Sequence, residues 1–117
     1  MTPEGKVKSW VNSTLDRVAK ETGLQVYHFN VVAAGYGTSG IPDKMACIKG
    51  RLYAIEVKAD KPKATPAQMG QLILATRAGA VSLIVGGKQF VMVLPDGATT
   101  PPSNNDILLN FLIASVQ

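Results

Sequence analysis

At 117 residues, 46% of them apolar and 17% charged, the chain has the balance of one globular domain and not that of a disordered one. No apolar run approaches the roughly 20 residues that cross a bilayer, and Met1-Thr2-Pro3-Glu4 lacks the blocks of a leader, so a cytoplasmic protein with no membrane partner is expected. One cysteine and one histidine exclude an internal disulfide and a soft-ligand zinc cluster, while twelve Lys and Arg against eight Asp and Glu leave a net charge of +4, which suits a nucleic-acid partner.

Thr2 stands where an N-cap belongs and Pro3 at the first helical position, which predicts a helix over residues 3–20. Val7, Val11, Leu15 and Val18 recur at helical spacing as its buried stripe, and Gly23 follows as a stop. Residues 24–33, rich in β-branched and aromatic side chains, predict a strand. A glycine- and serine-rich loop, AGYGTSGIP, covers 34–42, and two strands, 43–48 and 51–58, follow around a Lys49-Gly50 turn. A lysine-rich linker then reaches Thr65-Pro66, which starts a helix running to about Arg77, with Gly79 past its end. Strands over 80–85 and 88–94 are joined at Gly86-Gly87, and 105–116 reads as a closing helix. The order α-β-β-β-α-β-β-α predicts an α/β fold, a mixed sheet flanked by helices in a single domain over 1–117. In the closing helix, Ile107, Leu108, Leu109, Phe111, Leu112 and Ile113 offer more apolar surface than packing needs, and that excess marks an expected interface.

The central hairpin carries the chemistry. With Lys49 and Gly50 as the two turn residues, Ile48 pairs with Arg51 and paired numbers sum to 99, which sets Asp43 opposite Glu56. Opposed residues share a face with Cβ atoms about 5 Å apart, and alternation brings Lys58 to the same face. Tyr53, Ile55 and Val57 form the other, core face. Two opposed carboxylates destabilise a hairpin unless something neutralises them. A hard cation such as Mg²⁺ does so and keeps open positions that can polarise a phosphate. A lysine beside it can act on water or counter phosphate charge. The plain structural alternative makes Asp43 a turn residue after Pro42, with Glu56 and Lys58 on a solvated face.

Other polar residues have their own readings. Lys44, Lys61 and Lys63 cluster with Lys58 in the central stretch, and with Ser39, Tyr36 and Thr38 of the glycine loop they are candidates for phosphate contact. Thr65-Pro66-Ala67-Gln68 has the pattern of a capping box. His28, mid-strand, and Trp10, beside the helical stripe, read as structural, and nothing near Cys47 suggests a nucleophile.

Gly40-Ile41-Pro42-Asp43, a short hairpin and Glu56-Val57-Lys58 together resemble the PD-(D/E)xK nuclease signature. The glycine before Pro-Asp and the glutamine-bearing helix that follows resemble the VRR-NUC (virus-type replication-repair nuclease) group in its compact form, across residues 4–85. The resemblance implies a restriction-endonuclease-like core in which Asp43, Glu56 and the Val57 carbonyl bind Mg²⁺ or Mn²⁺ and Lys58 acts on the attacking water. Glu4, three residues before Val7 at the head of the inward stripe, is the candidate for the first-helix glutamate that often completes such sites; a residue favoured by the helix dipole is its alternative. Gln68 matches the family's glutamine, an active-site role that stands beside the capping box, and Gln71 is a second candidate.

The implied activity is a metal-dependent endonuclease on DNA, branched DNA such as a Holliday junction above all, acting as a homodimer because symmetric cleavage needs two sites. Flap cleavage or nonspecific nicking is the nearest enzymatic alternative. A noncatalytic nucleic-acid-binding module on the same fold and a structural protein with an incidental motif are the non-enzymatic ones.

Overall fold

The computed structural model describes residues 1–32 and 39–117. The loop expected over 34–42 lies outside the described residues as far as 38, and Tyr36 and Thr38 with it. The first helix, α1 (Pro3–Thr22), begins at Thr2, whose Oγ1 accepts from Gly5 N at 3.0 Å. It ends at Gly23, whose N–H donates to Ala19 O at 2.9 Å. Strand β1 (Val26–Asn30) is five residues long, half the length expected, because the chain still turns at Leu24, whose N–H donates to Thr22 Oγ1.

Strands β2 (Lys44–Ile48) and β3 (Arg51–Lys58) pair antiparallel from Ile48↔Arg51 to Lys44↔Ile55, the register that the turn arithmetic requires. Lys49 and Gly50 both have positive φ, 54° and 80°, as a tight hairpin turn of matching twist demands. The second helix, α2 (Pro66–Arg77), crosses over to β4 (Val81–Gly86), which runs parallel to β3. Strand β4 is buried along its whole length, as befits a central strand covered on both faces.

Strand β5 (Gln89–Val93) returns through Gly87-Lys88, one residue later than the expected Gly86-Gly87, because Gly86 still pairs with Gln89. A two-residue strand, β6 (Ser103–Asn104), adds an element that the sequence order lacked. The expected closing helix divides into a 3₁₀ turn (Asn105–Ile107) and α3 (Leu108–Ser115). Asn104 Oδ1 accepts from Asp106 N at 2.8 Å and fixes that start.

The six strands lie in the order β1-β2-β3-β4-β5-β6, a mixed sheet with three helices packed on it. Val7, Val11, Leu15 and Val18 of α1 and Leu108 and Leu112 of α3 meet Tyr53, Ile55, Val57, Leu83 and Val85 on one face. On the other, Leu72 of α2 meets Ala54, Ile84, Val91 and Val93. The closing helix spends its apolar surface inward: Leu108 and Leu112 are buried, Leu109, Phe111 and Ile113 pack against the core, and Ile107 alone of the six is exposed. The interface expected there therefore has little apolar surface left to it. Among the described residues no helix is long and apolar enough to cross a membrane.

Candidate active site

Glu56 lies on the α2 face of β3, between Ala54 and Lys58, at the point where the N-terminus of α2 closes over the sheet. Its residue surface is 2% exposed. The solvated-face alternative does not describe it. Asp43 sits just before β2, continuing the register toward Glu56, and its Oδ2 accepts from the Val57 amide at 2.9 Å. That bond orients Asp43 toward β3 of its own hairpin. Glu56 Oε1 is buried and, among the described residues, has no hydrogen-bond partner.

Burial first, and then the neighbouring Asp43 carboxylate, push the Glu56 carboxyl up to about 8. Lys58 acts in the opposite direction and Glu4 adds to the rise. A buried carboxylate with one oxygen unpartnered among the described residues, facing another carboxylate, stands as an unmet demand for positive charge.

Gln68 ties the site together. Its Nε2 donates to Glu56 Oε2 at 2.9 Å, and its Oε1 accepts from Lys58 Nζ at 2.7 Å. The same Oε1 accepts from Thr65 N at 2.9 Å, while Gln68 N donates to Thr65 Oγ1 at 3.2 Å. Capping box and site contact thus coexist in one side chain. The amide orientation follows from chemistry, since a flip would turn NH₂ toward an ammonium and oxygen toward a carboxylate. Lys58 Nζ also stands 3.7 Å from Glu56 Oε2. Gln71 is half-buried on α2, and no bond of its side chain ties it to this group.

Gly40 holds the incoming loop against α2. Its φ is +80°, and a Cβ there would stand 2.4 Å from Ala67 O, so no larger residue fits without displacing the helix start. On the other side, the segment after Lys58 passes over β4: a Cβ on Gly86 would lie 2.2 Å from the Lys61 carbonyl carbon. Lys61 and Lys63 emerge exposed from this crossing, at the Lys58 end of β3, and Ser39 is exposed before Gly40.

Two residues depart from the sequence reading. Lys44, a candidate for phosphate contact, is 3% exposed on the α1 face, opposite Ile55. Its Nζ donates to His28 Nδ1 at 2.6 Å, and His28 Nε2 meets Asp16 Oδ1 at 2.7 Å. Burial pushes Lys44 below the usual lysine range, against the pull of Asp16. An ammonium sealed on the far side of the sheet is out of reach of DNA, and the expectation is corrected accordingly. His28 keeps its structural reading, as part of that network.

Lys8 was missed. Its Nζ lies 3.9 Å from Asp43 Oδ1 and 4.0 Å from Glu4 Oε2. Glu4 is thus linked to Asp43 through Lys8, and among the described residues no three His, Cys, Asp or Glu side chains converge as a ready ligand set. The available signal was the one-turn spacing from Glu4, beside the buried Val7.

The donors present suit a hard cation: the carboxylates of Asp43 and Glu56, one of them with an orphaned buried atom, and among the described residues no group of three that brings in sulfur or imidazole. No protein-family model matches the chain, and no curated protein matches it.

Proposed function

We propose that the chain is a metal-dependent endonuclease that hydrolyses DNA phosphodiester bonds, with a restriction-endonuclease-like PD-(D/E)xK core of VRR-NUC type. The observation that carries this reading is Glu56: a buried carboxylate with an unpartnered oxygen, beside Asp43, with Lys58 held to it by Gln68. A purely structural face has no use for that arrangement, because two facing carboxylates cost stability that an apolar pair would not.

Asp43, Glu56 and the Val57 carbonyl are the groups that would hold Mg²⁺ or Mn²⁺. Bound there, the cation supplies Lewis-acid polarisation of the phosphate and a lower pKa for water. Val57 N keeps Asp43 turned to the site, and Gln68 keeps the Lys58 ammonium within reach of the same space. Lys58 then orients the attacking water or counters charge growing on the phosphate. Exposed Lys61, Lys63 and Ser39 contact the DNA backbone and add salt-dependent, sequence-independent affinity. A four-way junction is the proposed substrate and a homodimer the proposed form, since symmetric cuts need two sites.

A labelled panel of junction, flap, duplex and single-stranded DNA, with Mg²⁺ or Mn²⁺, tests the reading. Junction cleavage is expected, lost by at least a hundredfold in Asp43→Ala while DNA binding persists, roughly the scale of removing a transition-state contact. Preferred cleavage of a flap would replace the substrate and keep the enzyme. Failure to cut any substrate at any metal concentration would reduce the chain to a binding module.

A further inference from the structure

We infer that Lys8 is an internal counter-ion of the carboxylate site that weakens metal binding by occupying the charge position beside Asp43; the inference rests on the nuclease reading above. Lys8 lies one turn after Glu4 on α1, next to the buried Val7, and its ammonium reaches Asp43 at the start of the hairpin. It stands about equally far from Glu4 Oε2, at 4.0 Å, and from Asp43 Oδ1, at 3.9 Å. Both contacts are longer than a hydrogen bond, so the ammonium acts by charge and is not locked to either oxygen.

Asp43 needs such a neighbour. Its side chain is only 25% exposed and it faces Glu56, while Lys58 and Gln68 both engage Glu56 at Oε2. Lys8 supplies the positive charge on the Asp43 side. Any cation drawn to Asp43 must therefore meet a positive charge already in place, and affinity falls by the repulsion between them. An ordinary surface pair between Glu4 and Lys8 predicts something different: its removal would leave metal binding unchanged.

Calorimetric titration of the full chain with Mn²⁺ alone, at low ionic strength, separates the two. The Asp43→Ala variant identifies which part of the isotherm belongs to the site. Lys8→Met is expected to bind Mn²⁺ about three- to tenfold tighter, the range expected for one unit charge acting on a divalent ion across a partly solvated gap. Lys8→Arg, which keeps the charge, is expected to match the unsubstituted protein, and added salt to shrink the difference. Methionine is a good helix former on this half-exposed face, and a thermal melt checks that the variant is folded. Equal or weaker Mn²⁺ binding by Lys8→Met overturns the inference and leaves the nuclease reading standing. Absence of Mn²⁺ binding by the unsubstituted protein overturns the nuclease reading, and the inference falls with it.

Discussion

At Glu56, a carboxyl pushed up to about 8 keeps its proton near neutral pH as long as no cation is bound. Between the unfolded value of 4.5 and about 8, the folded chain holds a proton that the unfolded chain has released. Stability from this group is therefore complete below 4.5 and is lost as pH rises toward 8. Urea melts of chelator-treated protein at pH 5 and pH 8 are expected to differ by up to a few kcal/mol more in the unsubstituted protein than in Glu56→Gln, which cannot titrate. Equal pH dependence in the two would refute the shift. The proposed metal binding, which needs the carboxylate, should in turn weaken by up to tenfold per pH unit as pH falls below about 8.

Residues differ in how far the sequence discloses them. Asp43, Glu56 and Lys58 were legible because a two-residue turn and strand alternation suffice to place them. That same register placed Lys44 opposite Ile55, on the core face, yet its charge argued for solvent. Its partners, His28 and Asp16, come from another strand and a helix, and no local rule pairs them. Lys8 stayed hidden for a related reason: a helical lysine one turn after a glutamate looks like an exposed pair until the helix is docked beside the hairpin.

Among the elements, α2 carries the clearest local instruction. Thr65 and Gln68 satisfy each other's backbone amides, so the sequence specifies where the helix begins. Thr65→Ala should cost about 1 kcal/mol of stability by loss of the cap. It should also lower cleavage several-fold, although Thr65 touches neither carboxylate, because Gln68 would then hold Lys58 less firmly. A melt and a rate measured on the same preparation check both, and an unaltered rate would detach the cap from the chemistry. Gly40→Ala should do greater damage, since its Cβ would collide with Ala67 O. The elements that escaped the sequence were short or shifted by one. Strand β6 has only two residues, too few for any alternation, and Gly86 was drawn into β4 by pairing with Gln89 beneath a crossing segment.

For the whole molecule, the α/β order, the mixed sheet and its covering helices follow from the alternation of helical and strand periods. The distribution of exposed apolar surface does not, because it depends on which faces the helices reach. Helix α3 turned its surface toward α1 and the sheet, with Phe111 against Phe90 at 5.5 Å between ring centres. The proposed homodimer is therefore expected to associate without the closing segment: Ile107→Ser, at its exposed apolar position in the 3₁₀ turn before α3, should leave the sedimentation profile of a dimer unchanged. A monomer at high concentration would remove symmetric junction cleavage from the reading and favour a flap or nicking activity. A net charge of +4 adds the expectation that DNA affinity falls steeply between low and physiological salt.

Helix ends are the first parts of a folded chain to fray on warming. Here the first turn of α2 closes on the Gln68 oxygen that also receives Lys58. Fraying of that turn would release the lysine while the sheet is still intact, so on warming the proposed activity is expected to fail before the protein unravels.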